Sequence, residues 1–156
     1  MTLSYFDSSV LLAIMLDEEK QEEAYRFWQE SIRVSSILLK IETVIVLRRN
    51  YENHKHNLGN DWLTKKMKIL EEYLNEVNFM VVNQKIEQKV FLMKELAQCR
   101  TLDAIHIATA LQFREINNNE ETNLYTFDKA MHNLANSYRF KTNRIGVDPS
   151  ARSSGQ

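Results

Sequence analysis

A chain of 156 residues, 44% hydrophobic and 26% charged, is long enough for one compact domain that buries roughly two-thirds of its unfolded surface. Its formal net charge of −1 excludes a polycation, so any contact with nucleic acid must use a local basic patch or metal ions bridging to phosphate. The single cysteine, Cys99, excludes an internal disulfide and fits a reducing, cytoplasmic setting, and neither a signal peptide nor an apolar run of membrane-spanning length is visible.

With three glycines and one proline, the chain reads as helix-rich and without a long linker. The apolar run Leu3–Phe6 predicts a buried strand, followed by a short helix over Ser8–Leu16 that Asp7 or Ser8 can cap. Glu18–Ile32 carries Ala24, Phe27, Trp28 and Ile32 near helical spacing and predicts an amphipathic helix. Arg33–Ile37 predicts a second strand, Leu38–Tyr51 a helix, and the polar stretch His54–Gly59 a loop. Asp61–Val77 predicts a third amphipathic helix, Phe79–Val82 a strand, and Gln84–Ala97 a helix. Thr101–Phe113 predicts a helix, Asn117–Asn123 a polar loop, Leu124–Phe127 a strand, Lys129–Ser137 a helix, and Arg144–Val147 a last strand. Residues 1–148 are expected to form one domain and residues 149–156 a frayed tail.

Strands alternating with helices predict a parallel sheet with helices on both faces, where ligands bind beyond the C-terminal strand ends. Asp7 and Asp128 follow predicted strands directly. Asp103 lies in the first turn of an otherwise apolar helix, where the positive end of the helix dipole tolerates an acid. Glu42 sits early in the helical stretch Leu39–Leu47. Carboxylates gathered at one sheet end repel one another, and a hard divalent cation offsets that repulsion. Oxygen ligands favour Mg²⁺ or Mn²⁺ over zinc, and such ions support phosphodiester hydrolysis.

Tyr-Phe-Asp7-Ser-Ser, Ile-Glu42-Thr with Leu-Arg-Arg following, Leu-Asp103-Ala-Ile-His-Ile-Ala-Thr-Ala and Thr-Phe-Asp128 together resemble the acidic signature of PIN domains, in order and from about Leu3 to Val147. The resemblance implies a three-layer α/β/α fold with a central, mostly parallel sheet. It also implies a Mg²⁺- or Mn²⁺-dependent ribonuclease, with Asp7, Glu42, Asp103 and Asp128 as catalytic, metal-binding acids. Ser8 matches the small hydroxyl residue that often follows the first acid and orients a ligand. Small members of the family are often toxins of VapBC-type toxin–antitoxin pairs, which implies an RNA substrate, a small antitoxin protein as partner, and a homodimer. Some relatives carry one more acid just past the last motif; Lys129-Ala-Met-His132-Asn133 supplies none, which weakens the case for a second metal site.

Simpler roles stand beside these. Asp7 and Asp128 are suited to cap the helices that follow them, and Asp103 to complement a helix dipole. His106 lies one turn past Asp103 and reads as a packed histidine among Ile105, Ile107 and Ala108, with ligand or ligand-supporting roles as alternatives. His54 and His56 read as solvated, and His132 as a weak candidate substrate contact. Arg49, two turns from Glu42, is placed either to touch RNA phosphate or to pair with an acid. Cys99 has no nucleophile context. The alternative function is a non-catalytic module of the same fold that binds RNA or protein without cutting. Asp7-Ser-Ser-Val lacks the glycines of a dinucleotide-binding turn, no P-loop lysine is present, and Ser9 stands where a haloacid-dehalogenase-like phosphatase needs a second Asp.

Overall fold

Each apolar run of the first strand type is flanked by a helix, and the chain alternates accordingly. The computed structural model describes residues 1–145. The strands are β1 (Thr2–Phe6), β2 (Ser31–Ser36), β3 (Asn78–Met80), β4 (Asn123–Tyr125) and β5 (Lys141–Thr142). The helices are α1 (Ser8–Met15), α2 (Gln21–Gln29), α3 (Ile37–Leu58), α4 (Trp62–Asn75), α5 (Gln84–Leu92), α6 (Thr101–Ile116) and α7 (Lys129–Ser137), with a 3₁₀ turn at Lys94–Gln98. The strands form one sheet in the order β3-β2-β1-β4-β5, and every pair is parallel.

Side-chain alternation along β1 divides the core. Tyr5 faces a cluster built with Ile107, Leu111, Leu124 and Met131, on the side of α5, α6 and α7. Phe6 faces a second cluster with Leu11, Trp28, Leu39 and Leu70, on the side of α1 to α4. The result is the expected three-layer α/β/α arrangement. Among the described residues no helix is long and apolar enough to cross a membrane.

Several boundaries differ from expectation, for local reasons. Asp17 adopts a positive φ of 52°, turning the chain after α1, so α2 begins only at Gln21. It ends at Gln29, and Ser31 already opens β2. Residues 54–58 are helical rather than a loop: α3 continues to Leu58 and ends at Gly59, whose φ of 81° lies in the left-handed region. His54 and His56 are exposed on those last turns. The expected helix to Ala97 breaks at Met93 into the 3₁₀ turn, which buries Leu96. β4 stops at Tyr125 because Asn143 takes over both backbone groups of Thr126, donating to its carbonyl and accepting from its N–H. The last strand is Lys141–Thr142, not one starting at Arg144; Arg144 and Ile145 are not in a strand, and Gly146 and Val147 lie outside the described residues. The expected domain limit at 148 and tail at 149–156 also lie outside them.

Candidate metal centre

In an all-parallel sheet every strand ends at the same edge, so the chain leaves each strand there and the last helix of each crossover runs back from it to begin the next strand. That rule brings together four otherwise distant sequence positions. Asp7 follows β1 directly, Glu42 lies in the second turn of α3 after β2, Asp103 lies in the first turn of α6, and Asp128 precedes α7 three residues after β4. The strand order reverses direction between β1 and β4, and that crevice is where α/β sheets bind ligands.

Asp7 is 2% exposed. It caps α1: its Oδ1 accepts from the Ser9 N–H at 3.2 Å and the Ser9 hydroxyl at 2.6 Å. Its Oδ2 accepts from the Thr126 hydroxyl at 2.7 Å. Even with these donors, burial pushes the Asp7 carboxyl up to about 6, with repulsion from Asp103 adding to the rise. Asp103 is raised as well, first by burial, then by Asp128 and more weakly by Glu42, while Arg100 and His106 pull it back down.

Glu42 is held at both oxygens. The Ser8 hydroxyl donates to its Oε2 at 3.1 Å, and the His106 ring reaches its Oε1 through Nε2 at 2.5 Å. His106 is 0% exposed, so the packed reading is right about burial. Yet both ring nitrogens are engaged, since Nδ1 lies 2.7 Å from the Tyr5 hydroxyl. That leaves no free lone pair for a metal in this arrangement. Asp128 caps α7 through Oδ1, which accepts from the Met131 N–H at 2.8 Å. Its Oδ2 faces Arg100, whose guanidinium spans Asp128 at 3.7 Å and Asp103 at 3.5 Å while its side chain is 85% exposed.

Asp7 and Asp128 both cap the helices they precede; the other oxygen of Asp7 accepts from Thr126, and that of Asp128 faces Arg100. The Ser8 hydroxyl lies against Glu42. Arg49 stays exposed on α3 and makes no salt bridge among the described residues. His132 instead reaches the Asn143 carbonyl with Nε2, fixing the chain after β5. Cys99 lies near the acids, and burial with repulsion from Asp103 and Asp128 pushes its thiol up to about 11, which keeps it protonated and unreactive. Sequence reasoning missed Tyr5, Ser9, Thr126 and Arg100 as site residues. The one signal was polarity out of place, with Thr126 and the Tyr5 hydroxyl inside apolar strand ends.

The donor set is all carboxylate oxygen, which suits a hard divalent cation, and Asp7 and Asp103 within it are raised by burial and by neighbouring acids. Among the described residues, no three His, Cys, Asp or Glu side chains close on a common ion position. Each acid is instead satisfied by a protein donor, Arg100 supplying the positive charge at Asp103 and Asp128.

A family model described as the PIN domain matches residues 4–137 of the chain. Among solved structures, the fold is similar to a chain of a toxin–antitoxin complex from Klebsiella pneumoniae, with a TM-score of 0.57 and 16% identity, over 80% of this chain and 86% of that one. At that identity the likeness speaks for the fold. No curated protein matches the sequence.

Proposed function

The chain belongs to the PIN domain family, and from that premise we propose that it is a Mg²⁺- or Mn²⁺-dependent endoribonuclease, the toxin of a toxin–antitoxin pair. The observation that carries the reading is the gathering of Asp7, Glu42, Asp103 and Asp128 at the sheet's switch point, with Asp7 made harder to ionise by burial and by Asp103, and Asp103 by burial, Asp128 and Glu42. Isolated caps have no reason to raise one another's protonation; ligands of a shared cation do.

Asp7, Glu42, Asp103 and Asp128 would hold the ion. When bound, it supplies charge that neutralises a phosphodiester and acidifies a water for attack. The chain's own residues prepare that site. Ser9 and Thr126 fix the Asp7 carboxylate, and Ser8 with His106 fixes Glu42. Arg100 at the crevice mouth and Arg49 on α3 offer cationic contacts to RNA phosphates, which a chain of net charge −1 must supply locally.

A small antitoxin protein is the proposed regulating partner, supported by the nature of the similar complex. A second copy of the chain is the proposed occupant of an exposed apolar surface on α5, where Phe91 is 87% and Leu92 76% exposed. The cytoplasm is the proposed compartment.

The test is RNA cleavage by purified, inhibitor-free protein with Mg²⁺, with Mn²⁺ and with EDTA, beside Asp103→Asn. Metal-dependent cutting that the variant loses is the expected result. Retained RNA binding without cutting in any metal would replace the nuclease with a non-catalytic binding module.

A further inference from the structure

His106 is the one fully buried imidazole in contact with a candidate ligand, and its surroundings fix its proton. The Tyr5 hydroxyl oxygen accepts the Ser36 N–H at 3.1 Å. Its own proton is thereby free to point at His106 Nδ1, 2.7 Å away, and a phenol keeps that proton at neutral pH. Nε2 carries a hydrogen both when Nδ1 accepts that proton and when the ring is doubly protonated, and Nδ1 stays anchored on Tyr5 in either form. An ionised Glu42 can only accept, so Nε2–H donates to Oε1 at 2.5 Å. Ser36, Tyr5, His106 and Glu42 thus form one continuous chain of hydrogen bonds, which starts at the Ser36 N–H and ends at the carboxylate. Ser36 also caps α3, its hydroxyl accepting from the Leu38 N–H, so the same residue starts the helix that carries Glu42.

The geometry points to His106 as a positioning residue for Glu42: anchored at Nδ1 by Tyr5, it aims its Nε2–H at Oε1 and holds the carboxylate in a preset orientation for a divalent cation. This rests on the reading of Glu42 as a ligand. With Ser8 on Oε2 and His106 on Oε1, the carboxylate plane is fixed by donors from α1 and α6, while each oxygen keeps a second lone pair directed elsewhere. A free glutamate would lose its rotamer freedom when the cation binds; here that ordering is completed on folding. Donors behind ligands commonly change metal affinity about 10–100-fold.

The test uses the full chain without RNA. Long-range ¹⁵N–¹H correlation of the imidazoles reports the tautomer, and electron paramagnetic resonance titration reports Mn²⁺ affinity. Wild type is expected to show His106 with a hydrogen fixed on Nε2. His106→Leu is expected to weaken Mn²⁺ binding about 10–100-fold. His106→Gln, whose amide reaches the Nε2 position, is expected to restore binding to within a few-fold. Tyr5→Phe removes the Nδ1 anchor, so partial loss of the Nε2 hydrogen and weaker Mn²⁺ binding should appear together, even if His106→Leu fails to fold. A wild-type Nδ1–H tautomer, or a folded His106→Leu or Tyr5→Phe with unchanged affinity, overturns the inference alone. Wild-type protein that binds no Mn²⁺ overturns the proposed function and this inference with it.

Discussion

Three hydrogen bonds from Ser9 and Thr126 stabilise the ionised Asp7, yet burial outweighs them and leaves the carboxyl at about 6, above its ordinary 3.8. A pKa raised on folding means that the folded chain holds the proton more tightly than the unfolded chain. The resulting stability is fully present below about 3.8 and is lost as pH rises through about 6. Ionised Asp7 thus costs on the order of 3 kcal/mol at pH 7.5 in the absence of a cation, from a rise of about two units. Asp7→Asn removes the charge and keeps the shape, so the metal-free variant should gain about 1–3 kcal/mol at pH 7.5 and lose that advantage toward pH 4. Urea unfolding across pH measures this; a variant no more stable than wild type at pH 7.5 would contradict it. The same change should abolish cleavage, a trade of stability for function. The four acids were readable from sequence because each sits in its own short signature. Their partners were not, since Thr126 lies 119 residues from Asp7 and His106 lies 64 from Glu42, and only the folded sheet brings them together.

Helix ends decide much of what the elements do. The last turns of α3 were misread because polarity marks exposure, and an exposed helix end looks as polar as a loop. Gly59 was the reliable signal in that stretch. Its φ of 81° and ψ of 163° belong to a region nearly restricted to glycine. A Cβ built there meets nothing within 4 Å, so no packing clash contributes. Gly59→Ala should therefore destabilise by about 1–3 kcal/mol through backbone strain alone, read from a lowered urea midpoint at unchanged slope. At the start of α6, Arg100 lies across Asp103 and Asp128 but is mostly in water, so its contribution to stability is small. A cation binding those carboxylates must displace or share with the guanidinium. Arg100→Ala should leave the unfolding midpoint nearly unchanged and tighten Mn²⁺ binding about 3–10-fold. Weaker Mn²⁺ binding in that variant would make Arg100 a support for the site and not its internal counter-ion.

At the scale of the molecule, the sheet topology concentrates the chemistry and leaves an apolar face on α5 uncovered. All four acids come from one chain at the C-terminal edge of one sheet, so a single copy contains the candidate site. On α5 and the segment before it, Val81, Val82, Val90, Phe91 and Leu92 stand 40–87% exposed. Covering two side chains such as Phe91 and Leu92 contributes roughly 1.5–3 kcal/mol each. A two-fold axis through such a face counts every contact twice, which helps a single helix build toward the roughly 800 Å² per partner of a stable interface. The chain is therefore expected to sediment as a dimer at tens of micromolar, roughly the range such an interface supports. Phe91→Glu should be monomeric, since a charge on the axis meets its own copy and cannot be solvated there. Because no ligand is borrowed from the second copy, the monomer should still bind Mn²⁺ with wild-type affinity. A monomeric wild type would leave the α5 face to a different partner, whereas loss of Mn²⁺ binding in a folded Phe91→Glu monomer would mean that the second copy helps to build the centre.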